Sequence, residues 1–144
     1  MIEPAANAEV ARRALEVACS GKQSGSIEEV YSPTFVDHVN SVKYRGTEGA
    51  HRSVALYLAL FPDLQFRVEE QVTEGDRVAS RWTLHGTHRG RRVELWGIVI
   101  SRLEDGQIAE DWAATDSLTL LRQLGLWRSL ALVAKHPRLL RSSG

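Results

Sequence analysis

From Leu64 to Asp116 the hydrophobic period of this chain is two, and three turn signals interrupt it. They are Glu74-Gly75-Asp76, Arg89-Gly90-Arg91 and Asp105-Gly106, each with the glycine that a tight hairpin favours. The pattern predicts four antiparallel strands, at about 65–73, 77–88, 92–101 and 107–116. A meander of that length buries one face only if helices cover it, and the residues before it read as helical. Val10, Ala14, Val17 and Ala18 lie at helical spacing from Asn7 to Cys19. The segment SIEEVY follows, with Ser26 and Glu29 in a capping-box pattern and Pro33 as its stop. FVDHVN reads as extended, and a third helix runs from Thr47 to before Pro62 with Val54, Leu58 and Phe61 on one face. After the strands come a helix from Leu118 to Leu124 and a last one, LWRSLALVAKH. The expectation is a single α+β domain over 1–144: a conical barrel in which a curved antiparallel sheet wraps around N-terminal helices. Residues 126–144 form a C-terminal helical extension, as a lid or a dimer contact.

Charge and composition exclude several partners. The chain has 18 basic and 18 acidic residues among 144, so nothing supplies the basic excess of a nucleic-acid groove. No apolar run is long enough for a bilayer, and MIEPAANAEVARR lacks the apolar centre of a signal peptide. Cys19 is the only cysteine, so no intrachain disulfide can form. These features predict a cytoplasmic protein with neither nucleic-acid nor membrane partner. His85 and His88 lie three apart on a strand and so face opposite ways, which excludes them as a metal pair.

Register decides which residues meet. A two-residue Asp105-Gly106 turn pairs Glu104 with Gln107 and puts Leu95, Gly97, Val99 and Ser101 on one face with Glu110, Trp112 and Asp116. A three-residue loop at Arg89-Gly90-Arg91 adds Arg81, Thr83 and His85 to that face. A two-residue turn there would instead bring in Trp82 and Leu84. An apolar face with a few converging polar groups is the usual form of a small-molecule site.

The order and spacing of YSPTFVDH, YRGTEGAH, FPDLQF, RVASRWTLHGTHRG and EDGQIAEDWAATDSLTLLRQLG resemble the SnoaL-like polyketide cyclases of the nuclear-transport-factor-2-like superfamily. The resemblance spans about Ala11 to Gly125. It implies a conical α+β barrel, often dimeric, and a cavity that works without metal or cofactor on a small hydrophobic polyketide-like substrate. It also implies that Asp116 is a general acid/base. Two departures stand out: the cyclases carry a histidine where this chain has Val99, and a polar side chain where it has Gly97. The loop HRGRRVE is also shorter than in relatives.

On this reading the chain is a cofactor-independent cyclase or isomerase-type enzyme of natural-product metabolism, and a homodimer. Asp116 moves the proton, and Asp37 and His38 hydrogen-bond the substrate. Trp112, Tyr57, Leu95 and Val99 shape the cavity, with Arg81 and Glu110 as a pair beside it. Asp116 as a plain helix cap remains open. Two other readings stand beside the first. One is epoxide opening by Asp37 and Asp116 with Arg81. The other is a non-catalytic ligand-binding or dimerisation module.

Overall fold

The structure is a computed structural model that describes residues 3–23, 25–39, 42–125, 131, 134 and 135. The elements in chain order are α1 (Pro4–Arg13), α2 (Ser26–Val30), β1 (Tyr31–Val39), β2 (Val42–Arg45), α3 (Gly46–Leu60), β3 (Gln65–Glu74), β4 (Arg77–His88), β5 (Arg91–Glu104), β6 (Gln107–Thr115) and α4 (Ser117–Leu124). A π-helical turn, Ala14–Ala18, continues α1. The sheet order is β2-β1-β6-β5-β4-β3. Four of the neighbouring pairs are antiparallel, while β1 and β6 run parallel. The sheet is therefore mixed and open, where the sequence predicts an antiparallel barrel. The α+β class and the helices on the concave face are as expected.

Two apolar clusters fill the space between helices and sheet. One joins Phe61, Leu64, Phe66, Trp82, Leu84 and Leu95; the other joins Ala14, Ile27, Val30, Phe35, Val78 and Ile108. The π turn is tied to β3 by polar contacts. The Glu16 carboxylate accepts from the Val68 N–H at 2.8 Å, and Ser20 Oγ accepts from the Phe66 N–H at 3.3 Å. The capping box does not form. Gly25, at φ 79°, is the α2 N-cap, and Ser26 Oγ donates to the Gln23 carbonyl instead. The expectation for 126–144 lies outside the described residues, apart from Ala131, Ala134 and Lys135, which are helical. Among the described residues no helix is long and apolar enough to cross a membrane.

Two local features set the faces of the sheet. His88 pairs with Arg91, so the β4–β5 turn has two residues, Arg89 and Gly90, at φ 47° and 78°. Both values are positive, as in a type I′ hairpin. The three-residue loop is thus corrected, and Ser80, Trp82 and Leu84 face the helices. The second feature is a bulge in β6. Leu103 pairs with Ile108 but Arg102 pairs with Glu110, leaving Ala109 as the extra residue. From that point the parity of β6 inverts, and Asp111, Ala113 and Thr115 turn inward in place of Glu110, Trp112 and Ala114.

Candidate active site

A cavity of about 60 Å³ lies between the π turn, α3 and the concave face of β1, β4, β5 and β6. Two aspartates share it. Asp37 of β1 and Asp111 of β6 are register partners in the parallel pair, so their side chains leave adjacent strands, about 4.8 Å apart, on the same face. Each is only 7% exposed. Oδ1 of each is buried with no hydrogen-bond partner among the described residues. Burial pushes the Asp111 carboxyl up to about 7, against a hydrogen bond from Ser101, its cross-strand partner. Burial, and then the charge of Asp111, push Asp37 up to about 8, against a hydrogen bond from Ser53. The two carboxyls face each other at close range, so the charge left by the first ionisation opposes the second.

The other polar groups of the wall are neutral and mostly engaged. The Tyr31 hydroxyl and Cys19 Sγ lie 3.4 Å apart. Burial raises both, Cys19 to about 12 and Tyr31 well above the usual tyrosine value. Tyr57, pushed up to about 12 by burial, hydrogen-bonds Thr115. Trp82 forms part of the wall, and its Nε1–H is buried without an acceptor among the described residues. No described residue of the lining carries a positive charge. Among the described residues no group of three or more His, Cys, Asp or Glu converges to hold a metal.

The structure separates the residues that the sequence groups together. Asp37, Tyr57 and Val99 line the cavity, and Leu95 packs in the apolar core beneath it. The other expected side chains are corrected by the two register features. Trp112 and Glu110 follow the Ala109 bulge and lie on the convex face. His38, adjacent to Asp37 in β1, also lies there: its ring stacks on Trp112 at 5.5 Å, and its Nε2 is 2.9 Å from Glu110 Oε1. That bond is the first cause of the lowered Glu110 carboxyl. Arg81 is moved outward by the two-residue turn and donates to Glu70, not Glu110, at 3.3 Å. Glu110 instead meets Arg102, at 3.5 Å.

Asp116 is the N-cap of α4 and is absent from the cavity lining. It accepts from the Thr119 N–H at 3.1 Å and from the Thr119 hydroxyl at 2.5 Å. These bonds, hydroxyl first, hold its carboxyl below the usual aspartate range. Asp116→Ala should therefore lower Tm by a few degrees in a thermal melt, as loss of a cap does, and leave the chemistry of the cavity intact. A variant that melted like the native protein yet had lost its activity would reverse that assignment.

Sequence reasoning missed Asp111. Its one trace was the adjacent apolar pair Ile108-Ala109, both buried, which breaks strand alternation where the bulge falls.

A curved sheet filled by helices, with a pocket between them, is the architecture of the nuclear-transport-factor-2-like fold. Within that class the chain belongs to the SnoaL-like polyketide cyclase family, whose model matches residues 8–124. A loop-truncated variant of IdmH from Streptomyces antibioticus superimposes with a TM-score of 0.75 at 29% identity, over 83% of this chain and 99% of that one. TsrD of Streptomyces laurentii gives 0.76 at 26% identity, over 87% and 98%. AclR of Streptomyces galilaeus gives 0.72 at 26% identity, over 86% and 98%. No curated protein matches the sequence.

Proposed function

We propose that this protein is a cofactor-independent cyclase that enolises a ketone of a polyketide-like chain and closes a ring through the enol carbon. The observation that carries this reading is the buried pair Asp37 and Asp111, with raised carboxyls and unpartnered oxygens in one cavity. Near neutral pH such a pair holds one proton, so base and acid stand side by side. Asp111, the more acidic, takes the α-proton as the C–H bond breaks. Asp37 gives its proton to the carbonyl oxygen, and the neutral enol forms without a free charge. The enol carbon then adds to a second carbonyl of the same chain, forming the C–C bond; the enol O–H returns its proton to Asp37 as the first C=O re-forms, and the new alkoxide takes a proton from Asp111.

Family membership supports a cyclase or isomerase, and the dyad supplies the proton transfers. Arg81 faces outward from β4 and pairs with Glu70, away from the cavity lining, which weighs against epoxide opening by Asp37, Arg81 and Asp116. The test is α-proton exchange of cyclopentanone in deuterated water, followed by proton NMR. The native protein should accelerate the loss of the α-signal, and no acceleration over buffer would remove the reading.

The convex face supports a homodimer. Trp96, Ile98 and Ile100 are 48%, 43% and 40% exposed along β5, beside Trp112. Such a stripe is longer than a monomer ordinarily leaves in water, and a second copy applied about a two-fold axis covers both stripes at once. Sedimentation equilibrium should give twice the 16.1 kDa chain mass, and Ile98→Glu should halve it. A native mass of one chain would rule out this assembly.

A further inference from the structure

The polar atoms of the cavity do not match one another. Among the described residues two acceptors, Oδ1 of Asp37 and Oδ1 of Asp111, have no donor, and one donor, Nε1–H of Trp82, has no acceptor. Both tyrosine hydroxyls in the wall are already engaged, with Cys19 and with Thr115. A buried polar group without a partner costs free energy, and a ligand that supplies the partner recovers it. The Trp82 indole is also held with little freedom. It stacks edge-on against Phe66 at 5.1 Å and lies over Gly97, its cross-strand partner. A Cβ at Gly97 would stand 2.3 Å from Trp82 Cζ2, so the glycine is what admits the ring.

We propose that the Trp82 indole N–H is the donor that receives the substrate's carbonyl oxygen, and that the reacting group is a neutral ketone. The proposal rests on the acid–base reading of the aspartate pair. A carbonyl oxygen has two lone pairs, so it accepts from Trp82 and from the protonated carboxyl together. As the enol forms, negative charge develops on that oxygen, and a fixed donor in a dry pocket stabilises it more than it stabilises the ketone. Two carboxyls and no described cation in the lining repel a carboxylate or phosphate at the same place. The volume of about 60 Å³ admits the reacting end of a chain and leaves the remainder outside.

The probe is cyclopentanone, compared with methylenecyclopentane, which has the same shape without the acceptor oxygen, and with cyclopentanecarboxylate. The readout is the indole N–H signal of Trp82 in nitrogen-labelled native protein, assigned by elimination with Trp96→Phe, Trp112→Phe and Trp127→Phe. Cyclopentanone should move that signal downfield on binding, and the other two probes should not. Trp82→Phe keeps a ring in place, removes the donor, and should weaken ketone binding by about threefold to tenfold. The proposal is overturned if cyclopentanone does not bind, if it binds with the signal unmoved, or if Trp82→Phe binds it as tightly as the native protein. It is also overturned if the carboxylate binds equally well. Should Trp82→Phe fail to fold, the signal in the native protein decides. An unmoved indole signal, or unchanged affinity in Trp82→Phe, leaves α-proton exchange by the aspartate pair standing, because exchange is measured independently of the indole; cyclopentanone that does not bind removes both readings.

Discussion

Asp111→Asn lowers the rate of α-proton exchange by about 10²–10⁴-fold, the usual contribution of a positioned general base. The substitution is nearly isosteric, keeps a partner for Ser101 and removes the carboxylate proposed to take the α-proton. Asp37→Asn should cost a similar factor, because the amide cannot give up a proton to the carbonyl oxygen. The double variant should be little worse than either single one, since the two residues act as one unit. Asp116→Asn is the control: its carboxylate is committed to Thr119 at the rim and should leave exchange unchanged. Full exchange in Asp111→Asn together with its loss in Asp116→Asn would return the acid–base role to the helix cap.

Asp111→Asn and Asp37→Asn should also stabilise the protein, and increasingly so as pH rises. Both dyad carboxyls keep their protons in the fold well above the ~3.9 of a free aspartate. Between about pH 4 and pH 7 the unfolded chain has therefore released protons that the folded chain retains. The slope of unfolding free energy with pH follows protons bound in the unfolded state minus those bound in the folded state, so it is negative here. Stability from these groups is fully present below the unfolded value and falls through the window. It levels off once pH passes the folded values of about 7 for Asp111 and about 8 for Asp37. An asparagine has no proton to lose and escapes the fall. Asp111→Asn should match the native protein below about pH 4 in urea unfolding and exceed it by at least about 1 kcal/mol at pH 8. Asp116 and Glu110 have the opposite sign, with carboxyls held low in the fold, and act only in the acid range. An advantage for Asp111→Asn that did not change with pH would mean that the carboxyl is not raised. A gain in stability with a loss of chemistry is the expected signature of a site built on strained charges.

How far the sequence discloses this site can be argued from three residues. The strands and their order are legible because alternation survives in β3 to β5, and because Asp105-Gly106 is a strong two-residue turn signal. The inward face of β5, with Leu95, Gly97, Val99 and Ser101, is also correct. Arg89 hides the second turn. A type I′ hairpin favours asparagine or aspartate in the left-handed region, and an arginine at φ 47° gives no such cue. One residue of error there reverses β4, sending Arg81 inward on paper and Trp82 outward. Ala109 hides the third feature, since a bulge leaves the turn intact and shifts parity only beyond it. Asp111 and Trp112 then exchange faces, and with them the apparent partner of Asp37. β2 was not legible either: four residues at a sheet edge carry too little pattern. The long-range parallel pairing of β1 with β6, which creates the dyad, leaves no local mark at all.

The central claim is that Asp37 and Asp111 share a proton near neutral pH. Carbon NMR of carboxyl-labelled aspartates, titrated from acid to alkaline pH, tests it most directly, with Asp37→Asn and Asp111→Asn used for assignment. The account predicts two carboxyl signals that titrate in separate steps near 7 and near 8, with the Asp37 step moving to lower pH when Asp111 becomes asparagine. Two signals that complete their titration in the ordinary aspartate range, near ~3.9, would contradict it.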